Sequence, residues 1–406
     1  MSRFNAILLL FAASLLSPAF SADEPASTTT RARIIGPQSR EAPADDIDPG
    51  TGFSRSTVVR PLLEAPPPPG PRGARPDAIP VAPGHIALIL PTASPTLGRL
   101  AEAVRQGFAA AVQVAGKGAP SVRFIPVDNE GAALVDACRQ AQAGGAILVV
   151  GGITRDGAAA LAHSECARQP ALALNEPAGP PPAELSPNLF AVSLSIEQEA
   201  RQVALMGVAD GWHRAIVVAS PSPLARRVQD AFEREWSRDA GEIRRMPYSG
   251  NPDDLPLLRE RLDNAQADLV FFALEAPDAR AVRPYIPPTL PVYATSLSVN
   301  PRAETIVNLD LEGLRYVEMP WFVQPDHPAV MVYPQPPSPM SLEQEKLYAF
   351  GIDAFRLSLH LLRGDARRTP LDGVTGRIAL EPGNLFSRTL APAEVDGGHV
   401  IPLRAP

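Results

Sequence analysis

Six residues stand where they could act on a ligand together: Thr92, Ser94, Thr154, Ser220, Glu275 and Ser296. Each follows an apolar run that reads as a buried strand. In a parallel α/β sheet, ligands sit outside the carboxyl ends of the strands, where loops and helix N-termini offer free backbone N–H groups. Five hydroxyls and a carboxylate at such loops suit a small polar ligand in a cleft, with Glu275 available to an amine. The same residues have a plainer use. Ser94 and Thr154 can cap the helices that follow them, and Glu275 can be a solvated loop charge.

Bond-breaking chemistry finds no support. The chain lacks GxSxG, HExxH, CxxC, a Walker loop and GxGxxG, and its six histidines (His85, His163, His213, His327, His360 and His399) are scattered. The reading is a protein without catalytic residues, metal or cofactor. Cys138 and Cys166, the two cysteines, fall on successive predicted helices that can share one sheet face. They either form a disulfide or remain two small buried thiols.

The elements that must position these loops alternate regularly. HIALIL (His85–Leu90), VRFIPV (Val122–Val127), AILVVGG (Ala146–Gly152) and ALAL (Ala171–Leu174) read as buried strands. Helical spacing fills Leu97–Val114, Ala132–Ala143 and Asp156–Arg168 between and after them. A Pro-rich passage interrupts at Pro177–Pro187. The alternation then resumes, with strands at Ala215–Ser220, Glu242–Met246, Asp268–Leu274 and Pro291–Ser296. Leu314–Met319 is a further strand, Leu342–Arg363 a helix, and Val374–Leu380 and Leu385–Leu390 a closing strand pair. The fold class is α/β, two doubly wound parallel-sheet lobes joined by a hinge. Lobe 1 is expected at residues 84–190 plus 320–372, and lobe 2 at residues 191–319 plus 373–406.

Composition agrees. A chain of 406 residues, 45% apolar and 20% charged, can build two cores, and a net charge of −7 argues against nucleic-acid binding. Basic residues are almost all Arg, with Lys only at Lys117 and Lys346. Residues 1–21 read as a secretory signal peptide: one Arg, a short apolar run, then small residues. Residues 22–83 hold 13 prolines and few large apolar groups, the composition of a disordered tether. With no later apolar stretch long enough to span a bilayer, and no cysteine to take a lipid, the reading is a soluble periplasmic protein.

Four segments carry a resemblance: IALILPTASPTLGRLAEAVRQGFAAA (residues 86–111), LEGLRYVEMPWF (311–322), LYAFGIDAFRL (347–357) and LDGVTGRIALEPGNLFSRTLAP (371–392). In this order the chain resembles the C-terminal domain of the LppC/LpoA family, activators of penicillin-binding proteins with a type 1 periplasmic-binding-protein fold. The resemblance implies regulation of a peptidoglycan synthase through contact with a class A penicillin-binding protein. The alternative is a solute receptor of an ABC transporter that closes on an amino acid or small amide. The family's lipid-attachment Cys and its N-terminal helical-repeat domain are not found in this sequence.

Overall fold

The computed structural model describes residues 84–178, 186–239 and 241–403. The signal peptide, the tether at 22–83 and the last three residues of lobe 2 lie outside them. The described residues group as one compact unit.

The first sheet starts with β1 (His85–Leu90), β2 (Ser121–Pro126), β3 (Ala146–Gly151), β4 (Ala171–Ala173) and β5 (Leu189–Val192), all parallel. Helices α1 (Gly98–Ala115), α2 (Ala132–Ala143) and α3 (Arg155–Ala162) make its crossovers. The chain then leaves through α4 (Ile196–Ala209) for the second sheet. That sheet is built from β6 (Arg214–Ala219), α5 (Pro223–Asp239), β7 (Glu242–Pro247), α6 (Leu255–Asp263), β8 (Leu269–Ala273), α7 (Ala276–Val282), β9 (Val292–Ala294), α8 (Thr305–Asn308) and β10 (Leu314–Glu318). Buried runs such as LVFFA in β8 have helices on both faces, as a parallel sheet requires.

A second crossing follows β10. The short helices α9 (Pro320–Val323) and α10 (Pro328–Met331) lead to α11 (Leu342–Arg363). Ser341 and Gln344 close a capping box at its start, and Gly364 ends it in the left-handed conformation. Strands β11 (Leu371–Gly373), β12 (Gly376–Leu380) and β13 (Leu385–Thr389) then extend the first sheet, and β14 (Ala391–Asp396) and β15 (His399–Pro402) extend the second. The orders are β11-β12-β13-β5-β4-β3-β1-β2 and β15-β14-β10-β9-β8-β6-β7.

This corrects one boundary. Residues 373–389, expected in lobe 2, belong to the first sheet, because β12 pairs with β13 and β13 runs parallel to β5 through Leu385–Ala191 and Phe386–Val192. The third crossing therefore falls at Leu390. Leu189–Val192, which the Pro-rich passage hides in the sequence, is the strand that makes this pairing possible. Cys138 and Cys166 are disulfide-bonded with Cα atoms 6.2 Å apart, tying α2 to the turn after α3 within one apolar layer.

The first core centres on the packing of α1 against α11. Phe108 and Phe355 meet edge to face at 5.2 Å. The backbones touch because two glycines sit at the crossing: a Cβ on Gly351 would lie 2.1 Å from the Val104 carbonyl oxygen, and one on Gly107 1.8 Å from that of Tyr348. Neither neighbour is a flexible side chain, so an added methyl must push the helices apart. Gly351→Ala is expected to lower stability by about 2–3 kcal/mol in urea unfolding with unchanged cooperativity. A loss under about 0.5 kcal/mol, the range of ordinary surface changes, would mean that the crossing is loose.

Candidate functional site

The floor between the lobes is a cleft of about 320 Å³. Arg155, Asn175 and Glu176 line it from the first lobe, Ser193, Ser195 and Glu197 from the first crossing, and Leu224 and Arg227 from the second lobe. Leu347 and Phe350 of α11 form part of its apolar wall.

None of the six sequence-selected residues is among those lining it. Thr154 caps α3, accepting from Gly157 N–H at 3.0 Å, and donates its own hydroxyl to Glu130 at 2.6 Å. Glu130 also accepts the N–H groups of Ile153 and Thr154. Ser94 accepts from Leu97 N–H at 3.3 Å in the turn entering α1, and Thr92 lies half-buried in the same loop. Ser220 is buried beside a separate hollow over β6 and β7. Glu275 is exposed at the start of α7 and makes no capping hydrogen bond. Ser296 is buried at the lobe boundary, its hydroxyl accepting from Lys346 Nζ at 2.9 Å and its N–H donating to Glu199 at 3.0 Å. A helix cap explains Thr154, and a turn hydrogen bond before α1 explains Ser94. The chain neighbours of Thr154, Ile153 and Arg155, line the cleft instead.

The cleft's polar groups are largely engaged with one another. Glu176 accepts from Ser193 Oγ at 2.9 Å and Gln198 Nε2 at 3.1 Å, and Glu197 from Arg227 Nε at 2.7 Å and Ser195 Oγ at 3.0 Å. The Glu197 carboxyl titrates below its ordinary value: burial opposes this, and its own backbone N–H and Arg227 outweigh the burial. No group of His, Cys, Asp and Glu residues among those described could hold a metal ion.

Beneath the cleft lies a polar network that residue spacing did not reveal. Asp353, on the apolar face of α11, is fully buried. Its carboxylate accepts from Val374 N–H at 3.0 Å and from Thr375 N–H and Oγ1 at 2.7 Å each, with Arg356 Nη1 at 3.2 Å. Arg388 donates to the carbonyls of Thr375 at 3.0 Å and Ser193 at 2.8 Å. Trp321 joins them, its N–H on the Val374 carbonyl and its indole on Glu345. The signal was present as charged residues inside apolar wording, Asp353 in YAFGIDAF and Arg388 in LFSRTL, but their convergence is non-local.

Glu318 ends β10 beside this network, fully out of solvent. Burial pushes its carboxyl up to about 7; the Lys346 ammonium opposes the rise and Glu199 adds to it. A native carboxyl that holds its proton to higher pH than the unfolded one makes stability greatest below about pH 4.5. That stability is lost as pH rises through about 7. Glu318→Gln is expected to remove this slope. Measured by urea unfolding, the variant should gain on the order of 2 kcal/mol relative to the parent between pH 5 and 8. Parallel stability profiles would show that Glu318 stays ionised.

A family model described as "LppC putative lipoprotein" matches residues 80–263 and 257–398. Penicillin-binding protein activator LpoA of Pantoea ananatis (strain LMG 20103) is 24% identical over 368 residues, 78% of this chain and 53% of the relative. The chain thus spans about half the length of the curated relatives it matches. A solved structure from Chromobacterium violaceum ATCC 12472, described as a putative branched-chain amino acid ABC transporter, is 35% identical with a TM-score of 0.67. That match covers 77% of this chain and 99% of the other. The LpoA C-domain from Haemophilus influenzae, described as a regulator of PBP1A, is 21% identical with a TM-score of 0.64, covering 79% and 100%. At that identity the likeness speaks for the fold alone. Among the described residues no helix is long and apolar enough to cross a membrane.

Proposed function

The chain belongs to the LppC family, and from that premise we propose that it is a non-catalytic periplasmic regulator of a peptidoglycan synthase. It would act by protein–protein contact with a class A penicillin-binding protein. The observation that carries this reading is the match to relatives named as penicillin-binding protein activators over 78% of the chain. The site is consistent with it. Glu176 and Glu197 of the cleft already have partners within the protein, and a regulator needs no reacting group.

A specific observation favours a second reading, a solute receptor for an amino acid. The Chromobacterium structure is described as a transporter, and the cleft holds Arg155 and Glu176 at its edge. One experiment separates the two. The mature protein is used to capture class A synthases from the periplasmic and membrane fraction of its own organism. Glycan polymerisation and cross-linking by the recovered synthase are then measured with and without it. The regulator reading predicts specific recovery and a several-fold rise in rate. No recovery, together with a thermal upshift from one branched-chain amino acid, would establish the receptor instead.

A further inference from the structure

The first turn of α11 belongs to the first lobe, yet its polar contacts reach outside that lobe. Glu345, nearly buried, accepts from Arg302 Nε at 3.1 Å and from the Trp321 indole at 2.9 Å. Arg302 lies in the loop beyond β9 and stacks on the Phe322 ring at 5.0 Å. Lys346 donates to Ser296, which also follows β9 and is held from its other side by Glu199 of α4. In a chain that otherwise relies on arginine, one of two lysines occupies this boundary. Its compact ammonium donates to a single hydroxyl, that of Ser296, whose N–H donates to Glu199.

The next residues of the same helix, Leu347 and Phe350, are part of the cleft wall. Any rotation that widens the cleft therefore pulls Glu345 and Lys346 away from Arg302 and Ser296. An apolar seam resists the same movement. One continuous cluster runs from Leu88 through Phe350 to Val203, Phe232 and Phe271, and so spans both lobes.

We propose that Glu345 and Lys346 form a latch that holds the two lobes in this one arrangement through the chain's own side chains. A receptor of this shape moves between open and closed states about its hinge. Here the arrangement is set by the protein and presents one rigid face to a partner. Losing the latch leaves the partly exposed Arg302 and the buried Ser296 hydroxyl without these bonds, which favours states in which water reaches them.

The test measures the distance between the lips of the cleft. Nitroxides are attached through Asp156→Cys and Arg226→Cys, both exposed, while the native cysteines are occupied in their disulfide. Pulsed dipolar spectroscopy on the full mature chain should give one narrow distribution. Adding Glu345→Gln with Lys346→Met should bring in a second population several ångström longer, in a protein that still melts cooperatively. Arg302→Gln, at a half-exposed position, should produce a smaller change in the same direction. It decides the matter if the double variant does not fold. Two populations in the parent chain, or a parent-like distribution in Arg302→Gln and in any folded double variant, would overturn the latch.

Discussion

Asp353 carries a carboxylate that no solvent reaches, in a helix face that otherwise buries Tyr348, Ile352 and Phe355. Such a group is tolerated only when its oxygens are fully hydrogen-bonded. Three of its donors come from one place, the turn between β11 and β12, and Arg356 of the same helix adds a fourth. Burial raises the carboxyl's pKa, and Arg356 and the Thr375 and Val374 donors pull it back. Fixing that turn fixes the Thr375 carbonyl, which receives Arg388, which in turn reaches Ser193. Ser193 lies on the first crossing between lobes, Trp321 on the second and Arg388 just before the third. One buried carboxylate thus anchors a chain of contacts through all three.

Arg388 shows why the arrangement must be cooperative. Burial depresses its pKa, while Glu199, Asp353 and Glu318 work to keep the guanidinium charged. These acids come from α4, α11 and β10, elements of both lobes. Removing any one shifts the balance for the rest, as in buried networks generally. The cleft is tied to this network through Ser193, which lines it and accepts from Arg388, and through α11, which contributes to both. Its shape is inherited from the hinge.

Much of this fold was legible in the sequence. Continuous apolar runs and 3.6-residue spacing mark the strands and helices of both lobes, and α2 and α11 have the bounds that spacing predicts. The strands that escaped are short or polar: β5 and β14 depend on neighbours distant in the chain for their pairing, and β11 and β15 are three- and four-residue hairpin partners of β12 and β14. That is also why the third crossing was expected near residue 372 and lies at Leu390. The polar hinge was hidden for a different reason. Asp353, Glu318 and Arg388 look in sequence like solvated positions, and only the assembled lobes reveal what satisfies them. Thr154 and Ser94 were visible as loop hydroxyls, but the same loop chemistry serves a helix cap, and Glu130, which holds Thr154, lies some twenty residues upstream.

Native-state hydrogen exchange at the Val374 and Thr375 amides tests most directly whether the three crossings form one unit around Asp353. Both amides donate to its carboxylate. If the network is the anchor, they exchange only through global unfolding, with the same free energy and denaturant dependence as the central amides of β1 and β8. Exchange through a smaller, denaturant-independent opening, while β1 and β8 stay protected, would contradict the account and make the hinge a locally mobile joint.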